Sequence, residues 1–141
     1  MLKVESAPGK AIHIHQFEDE HRELFRLHGD LQCAIAGGAS TAQMLPIVSE
    51  LVAQTNQHFL HEEREMRAVR YDHYVWHLRQ HKAARAKVTR LGQRIRRGDG
   101  EAARELLEFL HGWLKDHIGI ADRMLGAYLR NYYRSQEARA S

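Results

Sequence analysis

Apolar side chains recur every three or four positions through most of this chain, a spacing typical of amphipathic helices packed against a shared core. Glycines at 37–38 and 98–100 interrupt the pattern and predict helix ends. The pattern predicts four long helices, at about 16–36, 41–69, 72–97 and 101–132. Because the connections between them are short, we expect an all-α, up-down-up-down four-helix bundle. Ser40 or Thr41 is the expected N-cap of the second helix.

The composition is that of an ordinary globular protein, with 43% hydrophobic and 28% charged residues, and predicts a single domain, 1–141. No apolar run is long enough to cross a bilayer, and the first residues lack the apolar stretch of a secretion signal. We therefore expect no membrane insertion and a cytoplasmic protein. The single Cys33 agrees with a reducing compartment, and its apolar neighbours predict that it is buried. The polar tail 134–141 is expected to fray.

The formal net charge is +3, and much of the positive excess lies between Arg79 and Arg97. That stretch contains no interleaved aromatic residue and no recognised nucleic-acid motif. It is interpreted as a solvated helix face, and no nucleic-acid partner is expected. The unusual feature of the composition is histidine, with 11 residues.

Several histidines fall on the predicted inner faces of the helices. On the second helix, Glu62 interrupts an apolar stripe, and His58 lies four residues earlier on the same side. A carboxylate buried in that position needs a cation, a hydrogen-bond network or a metal ion. The third helix places His81 in its apolar stripe with His77 beside it, and the fourth helix places His117 in its stripe.

Other polar residues at similar spacing are predicted to face solvent. His61 and Glu65 repeat the four-residue spacing of a ligand pair, but they align with polar positions on the outer face of the second helix. His73 and His111 align with the solvent faces of the third and fourth helices. These four residues are therefore not expected to be ligands.

Two positions are not settled by periodicity. His21 and His28 lie two turns apart on one face of the first helix, so either could be a ligand. In a regular helix Asp122 would lie about 140° around the axis from His117. Asp122 would join the other candidates if the helix were locally irregular, with a bulge permitted by Gly119, or if its side chain reached in from the edge of the apolar stripe.

Imidazole and carboxylate ligands together suit iron, manganese or zinc. Seven candidate ligands are too many for one ion and enough for two, and the facing helices of a bundle can hold a paired-metal site.

The order H…HxxxE…HxxxH…HxxxxD resembles the hemerythrin family, and specifically its bacterial single-domain members. The resemblance covers roughly residues 17–128. The run from Glu20 to Phe25 resembles the family's first-helix signature and selects His21 over His28. Three further segments carry the resemblance: His58-Phe59, Glu62-Glu63 and Trp113-Leu114 before His117-Ile118.

The resemblance implies two iron ions joined by an oxo or hydroxo bridge. One iron would be held by His77, His81 and His117. The other would be held by His21 and His58. Glu62 and Asp122 would bridge the two. The iron with two histidines would keep an open position, where the family binds dioxygen as a hydroperoxide. The implied apolar wall of the dioxygen pocket consists of Phe59, Trp113, Leu114 and Ile118.

The function that the resemblance implies is reversible dioxygen binding for storage or delivery, including delivery to an enzyme that uses dioxygen. The protein itself is not expected to be an enzyme. The alternatives are a dioxygen- or redox-sensing module, and iron-centre repair or chemistry on nitric oxide or peroxide. The sequence departs from the family's pattern at Glu18, Asp72 and Gln80, and none of these residues is a ligand.

Overall fold

The computed structural model describes residues 10–140, with side chains from residue 14 onward. The helices are α1 (Lys10–Ala36), α2 (Thr41–Ala68), α3 (Tyr74–Arg96), α4 (Gly100–Asp116) and α5 (Arg123–Ala140), with a π-helical segment, His117–Asp122, between α4 and α5. The last three elements follow without a break and form the fourth member of the bundle. Consecutive members pack on one another, and α4 and α5 also pack on α1. The predicted all-α four-helix bundle is confirmed.

Local hydrogen bonds explain two of the helix starts. At α2 the Ser40 hydroxyl accepts from the Gln43 backbone N–H (3.1 Å), and the Gln43 side chain accepts from the Ser40 backbone N–H (2.9 Å). This reciprocal capping box satisfies two donors that the helix leaves unpaired. At α4 the Asp99 carboxylate accepts from the first backbone N–H groups of the helix. The turns before these caps use Gly38 and Gly98, whose φ angles of 77° and 97° suit glycine.

The interior divides into two apolar clusters with different compositions. One is aliphatic and includes Leu31, Leu51 and Leu106. The other is rich in aromatic residues and includes Phe17 and Tyr71. On every bundle member, the candidate ligands lie in the sequence between residues of the aliphatic cluster and residues of the aromatic cluster. The candidate site therefore occupies a polar layer between two apolar ones.

Three predictions about the ends and faces of helices were inaccurate. The fourth bundle member continues to Ala140 rather than ending near 132, so residues 134–140 of the tail expected to fray are helical and exposed. Tyr133, directly before them, packs on the aromatic cluster and donates a hydrogen bond to Glu65. Cys33 is exposed rather than buried. It lies two residues after the buried Leu31, about 200° around the helix, and therefore points away from the core.

The remaining boundaries differ by a few residues. The first helix already includes Lys10, and the third spans Tyr74–Arg96 rather than 72–97. Within residues 10–140, no helix is long and apolar enough to cross a membrane.

The π-helical segment does not depend on glycine. A Cβ atom added at Gly119 would meet no atom within 4 Å, and the backbone there is not in the left-handed region. We predict that Gly119→Ala raises the free energy of unfolding by about 0.5–1 kcal/mol, because glycine inside a helix costs conformational entropy. Gly29→Ala, in open space on α1, should give the same gain. Denaturant unfolding of both variants tests this, and a loss at position 119 with a gain at position 29 would contradict it.

Candidate metal centre

The seven predicted side chains come together in two overlapping groups. One group consists of Glu62, His77, His81, His117 and Asp122, and the other of His21, His58, Glu62 and Asp122. Within each group every residue offers one ligand atom, and these atoms lie within 4.8 Å of one another. The two carboxylates belong to both groups, as bridging ligands would.

The three-histidine group surrounds one oxygen of each carboxylate. His77 Nε2 lies 3.1 Å from Glu62 Oε1 and 3.0 Å from Asp122 Oδ1. His81 Nε2 lies 3.1 Å from Glu62 Oε1, and His117 Nε2 lies 3.0 Å from Asp122 Oδ1. All five side chains are buried.

The two-histidine group faces the other oxygen of each carboxylate. His58 Nε2 lies 3.0 Å from Glu62 Oε2, and His21 Nε2 lies 2.9 Å from Asp122 Oδ2. Each carboxylate therefore presents one oxygen, Oε1 or Oδ1, to two members of the three-histidine group and the other, Oε2 or Oδ2, to the two-histidine group. This division of oxygens suits a pair of cations bridged by both carboxylates.

The π-helical segment is what places Asp122 in the site. Its wider turn replaces the regular geometry that would carry Asp122 away from His117, so the two side chains meet at 3.0 Å. Of the two ways in which Asp122 could reach the site, the structure has the local irregularity of the helix.

The electrostatics of the site favour positive charge at its centre. Burial raises the pKa of the Glu62 carboxyl, but the charge of His58 and hydrogen bonds from His21, His58 and His77 outweigh burial and hold that pKa well below its usual value. At Asp122, burial and the charge of Glu62 raise the pKa, but hydrogen bonds from His117, His21 and His58 outweigh them and hold it well below its usual value. Two ionised carboxylates thus lie close together in the protein interior.

Some of the imidazoles lie beside these carboxylates and carry charge opposite to theirs. Burial lowers the pKa of His77, but hydrogen bonds to Asp122 and Glu62 outweigh burial and raise it to about 9. The pKa of His58 is also well above its usual value, because the Glu62 charge and bonds to Asp122 and Glu20 outweigh burial. Burial lowers the pKa of His117, where hydrogen bonding and charge from Asp122 oppose it.

Unpartnered polar atoms show that the residues fit a metal pair. Apart from these imidazole contacts, whose alignment is poor for hydrogen bonds, Glu62 Oε2, both Asp122 oxygens and His117 Nε2 are buried without a hydrogen-bond partner in the described part of the chain. Buried polar atoms are rarely left unsatisfied. Carboxylate oxygens and imidazole nitrogens are also the ligand types that iron takes in proteins.

Three of the candidate histidines are oriented by neighbours outside the two groups. His58 Nδ1 lies 2.6 Å from Glu20 Oε1, and His81 Nδ1 lies 2.8 Å from Glu63 Oε2. His117 Nδ1 lies 2.7 Å from Gln80 Oε1. An oxygen of an ionised carboxylate or of an amide can only accept, so each Nδ1 donates and each Nε2 faces the centre.

Of these partners, sequence reasoning singled out only Gln80, and only as a departure from a family pattern. Glu20 and Glu63 were not recognised as partners. Each stands beside a predicted ligand, but that position does not show which histidine of another helix it meets.

The histidines assigned to outer faces lie outside both groups. His73 and His111 are exposed, and His61 is half-buried with its Nδ1 bound to Glu20. His28 donates from Nε2 to the Leu107 carbonyl (3.2 Å) and stacks on His111. The geometry therefore agrees with the choice of His21 over His28.

The assignment of Glu65 to the solvent face was wrong. Glu65 is only 6% exposed, and its carboxylate accepts the hydrogen bond from Tyr133. The outward assignment rested on alignment with polar positions of the same helix, which does not show what another helix places over them. The extension of α5 covers this part of α2 instead.

The four residues predicted to wall a dioxygen pocket divide between the two sides of the centre. Phe59 stacks on His81 with ring centroids 4.1 Å apart, and Trp113 stacks on His117 at 4.3 Å. Both aromatic rings therefore lie against the three-histidine group. Leu114 is buried, and the half-buried Ile118 lines a pocket that reaches the other group. Their role towards dioxygen stays a prediction.

That pocket has a volume of about 230 Å³ and lies between α1 and α5. It reaches three candidate ligands, His21, Glu62 and Asp122, and its apolar walls include Phe17 and Ile118. None of its lining residues is a histidine of the three-histidine group. Access to the centre is therefore unequal, and a small molecule arriving through this pocket meets the two-histidine group.

Comparisons with known proteins agree with this arrangement. A bacteriohemerythrin of Ralstonia nicotianae is 28% identical over 91 residues, which cover 64% of this chain. The match covers 66% of the relative, so the chain spans just under two thirds of its length. No solved structure gives a significant match. The family model described as hemerythrin HHE cation binding domain matches residues 12–129, which include all seven candidate ligands. This chain therefore belongs to the hemerythrin family.

Proposed function

We propose that this protein binds dioxygen reversibly at a pair of iron ions, for storage or delivery. The observation that carries the proposal is the asymmetry of the centre. The pocket between α1 and α5 reaches the group with two histidines, whereas the group with three histidines is buried and lies behind stacked aromatic rings. The two-histidine group offers one protein ligand fewer, and it is the group that a small ligand can approach.

The ions that fit this donor set are held by His77, His81 and His117 on one side and by His21 and His58 on the other, with Glu62 and Asp122 shared. A bound iron pair would supply the two electrons that dioxygen needs for reversible binding. The chain contributes the rest. Glu20, Glu63 and Gln80 hold the imidazole rings in place, and the apolar walls keep water from the centre, which limits irreversible oxidation.

Reversible binding returns dioxygen unchanged, so we propose a binding protein rather than an enzyme. The sensing alternative requires a partner that reads the state of the centre, and the enzymatic alternative requires turnover of nitric oxide, peroxide or an iron centre. Steady-state assays with these substrates, run beside oxygenation cycles, would separate the alternatives.

We predict that the protein binds two iron ions per chain and that His58→Ala loses at least one of them. His58 is buried between Glu62 and Glu20, so its removal takes a ligand from the interior. His61→Ala is the matched control, because His61 is the neighbouring histidine on the same helix and belongs to neither ligand group. Metal analysis of the purified variants measures both effects. Iron loss in His61→Ala with full loading of His58→Ala would contradict the assignment.

We predict an absorbance band in the visible region that appears when the anaerobically reduced protein meets air and fades on deoxygenation. The band should be absent from iron-free protein and from Glu62→Gln, which removes a bridging charge. Repeated cycles in a sealed cuvette test reversibility. A spectrum indifferent to dioxygen, or one zinc ion per chain in place of iron, would refute the proposed function.

We predict that Gln80→Glu speeds spontaneous oxidation of the reduced protein, by a factor on the order of ten. A carboxylate that accepts the hydrogen bond from His117 Nδ1 would make this imidazole donate more electron density to a bound metal. The oxidised state of the metal would then be favoured. Gln93→Glu adds the same charge at an exposed position of the same helix and should leave the rate unchanged. The rate is followed by absorbance in air, and equal rates in both variants would exclude this role for Gln80.

A further inference from the structure

All five tyrosines of the chain belong to the aromatic cluster at one end of the bundle. Four of them form a line of ring contacts that starts at the candidate ligand His77, and we call this line the tyrosine path. Its ring-centroid separations are 6.4 Å from His77 to Tyr71, 5.0 Å from Tyr71 to Tyr128, 6.4 Å from Tyr128 to Tyr132 and 5.2 Å from Tyr132 to Tyr133. The path leads from the buried Tyr71 to the half-buried Tyr133.

The hydroxyl groups along the path differ in what can take their proton. The buried Tyr71 hydroxyl finds no hydrogen-bond partner in the described part of the chain. The Tyr128 hydroxyl donates to the Val69 carbonyl (3.3 Å), which is a weak base. The Tyr133 hydroxyl donates to the carboxylate of Glu65, which is a much better proton acceptor.

This difference sets the order in which the tyrosines give up an electron. A phenol that loses an electron becomes strongly acidic and must also lose its proton. Burial and the bond to Glu65 raise the pKa of Tyr133, so its proton is in place at neutral pH. The carboxylate is already bonded to that proton and can accept it. Tyr133 is therefore easier to oxidise than Tyr71 and Tyr128, and an electron vacancy that enters at Tyr71 moves outward.

We propose that the tyrosine path carries single electrons from Tyr133 to the metal centre. The proposal rests on the proposed iron chemistry of the site. Hydrogen peroxide would oxidise a bound iron centre by taking up two electrons from it and two protons from solvent, which breaks the O–O bond and gives two water molecules. One electron would then return to the oxidised centre through Tyr71, Tyr128 and Tyr132. Tyr133 loses that electron, its phenolic proton moves to Glu65, and a neutral tyrosyl radical remains. A thiol then donates one hydrogen atom, which restores the phenol, the thiol becomes a thiyl radical, and Glu65 releases its proton to water.

Two tryptophans offer other routes and must be distinguished from the path. The Trp76 ring lies 6.5 Å from the His77 ring and is 42% exposed. The Trp113 ring stacks on His117 at 4.3 Å. An electron vacancy that reached either indole would move on to Tyr133 only if Tyr133 is easier to oxidise than that tryptophan. The identity of the final radical therefore decides between the routes.

The test is freeze-quench electron paramagnetic resonance of the iron-loaded protein after addition of hydrogen peroxide. We expect a tyrosyl signal that is lost in Tyr133→Phe and weakened in Tyr128→Phe and in Glu65→Gln, which removes the proton acceptor. Tyr74→Phe is the matched control, because Tyr74 belongs to the same cluster but not to the path, and it should keep the signal. Zinc-loaded protein should give no signal, because zinc has no redox chemistry.

A tryptophan radical in the wild-type protein would overturn the proposal. So would an unchanged tyrosyl signal in Tyr133→Phe with unchanged iron content and helical circular dichroism. Failure of the path and failure of the proposed function give different results. If the protein binds and releases dioxygen but forms no Tyr133 radical, the tyrosine path is refuted and the proposed function stands. If it forms the radical but does not bind dioxygen reversibly, the tyrosine path is supported and the proposed carrier function is refuted.

Discussion

The rest of the structure depends on the burial of two carboxylates, Glu62 and Asp122, in the middle of an apolar bundle. Removing one ionised carboxylate from water costs roughly several kcal/mol unless opposite charge and hydrogen bonds compensate it. Here compensation comes from all four members of the bundle at once, since each contributes at least one histidine. The polar layer therefore fixes how the helices are aligned along their axes, while the apolar clusters on either side supply the driving force for packing.

Much of this could be predicted from the sequence, because helical periodicity reports directly on which residues face a core. Glu62 stood out since a carboxylate interrupted an apolar stripe, and His58, His77, His81 and His117 followed from the same spacing. Periodicity failed where two residues shared a face. His21 and His28 could not be separated, because His28 donates its hydrogen bond to the Leu107 carbonyl on another helix, a contact that periodicity does not report.

Other features depend on contacts that no local pattern encodes. Glu65 aligned with polar positions of its own helix, and that alignment could not show that tertiary packing brings Tyr133 against α2. Glu20, Glu63 and Gln80 meet their histidines across 38, 18 and 37 positions of sequence, and spacing within one helix carries no information about such pairs. Asp122 was identified through family resemblance, and the π-helical segment gives the physical reason that regular geometry lacked.

The separation of the two apolar clusters from the polar layer has a consequence for how substitutions act. Neither cluster contains a candidate ligand, and each supplies apolar burial on its own side of the site. A substitution inside a cluster therefore changes the stability of the bundle without removing a donor atom from the centre. A substitution in the polar layer removes a donor atom and leaves the apolar packing on both sides in place.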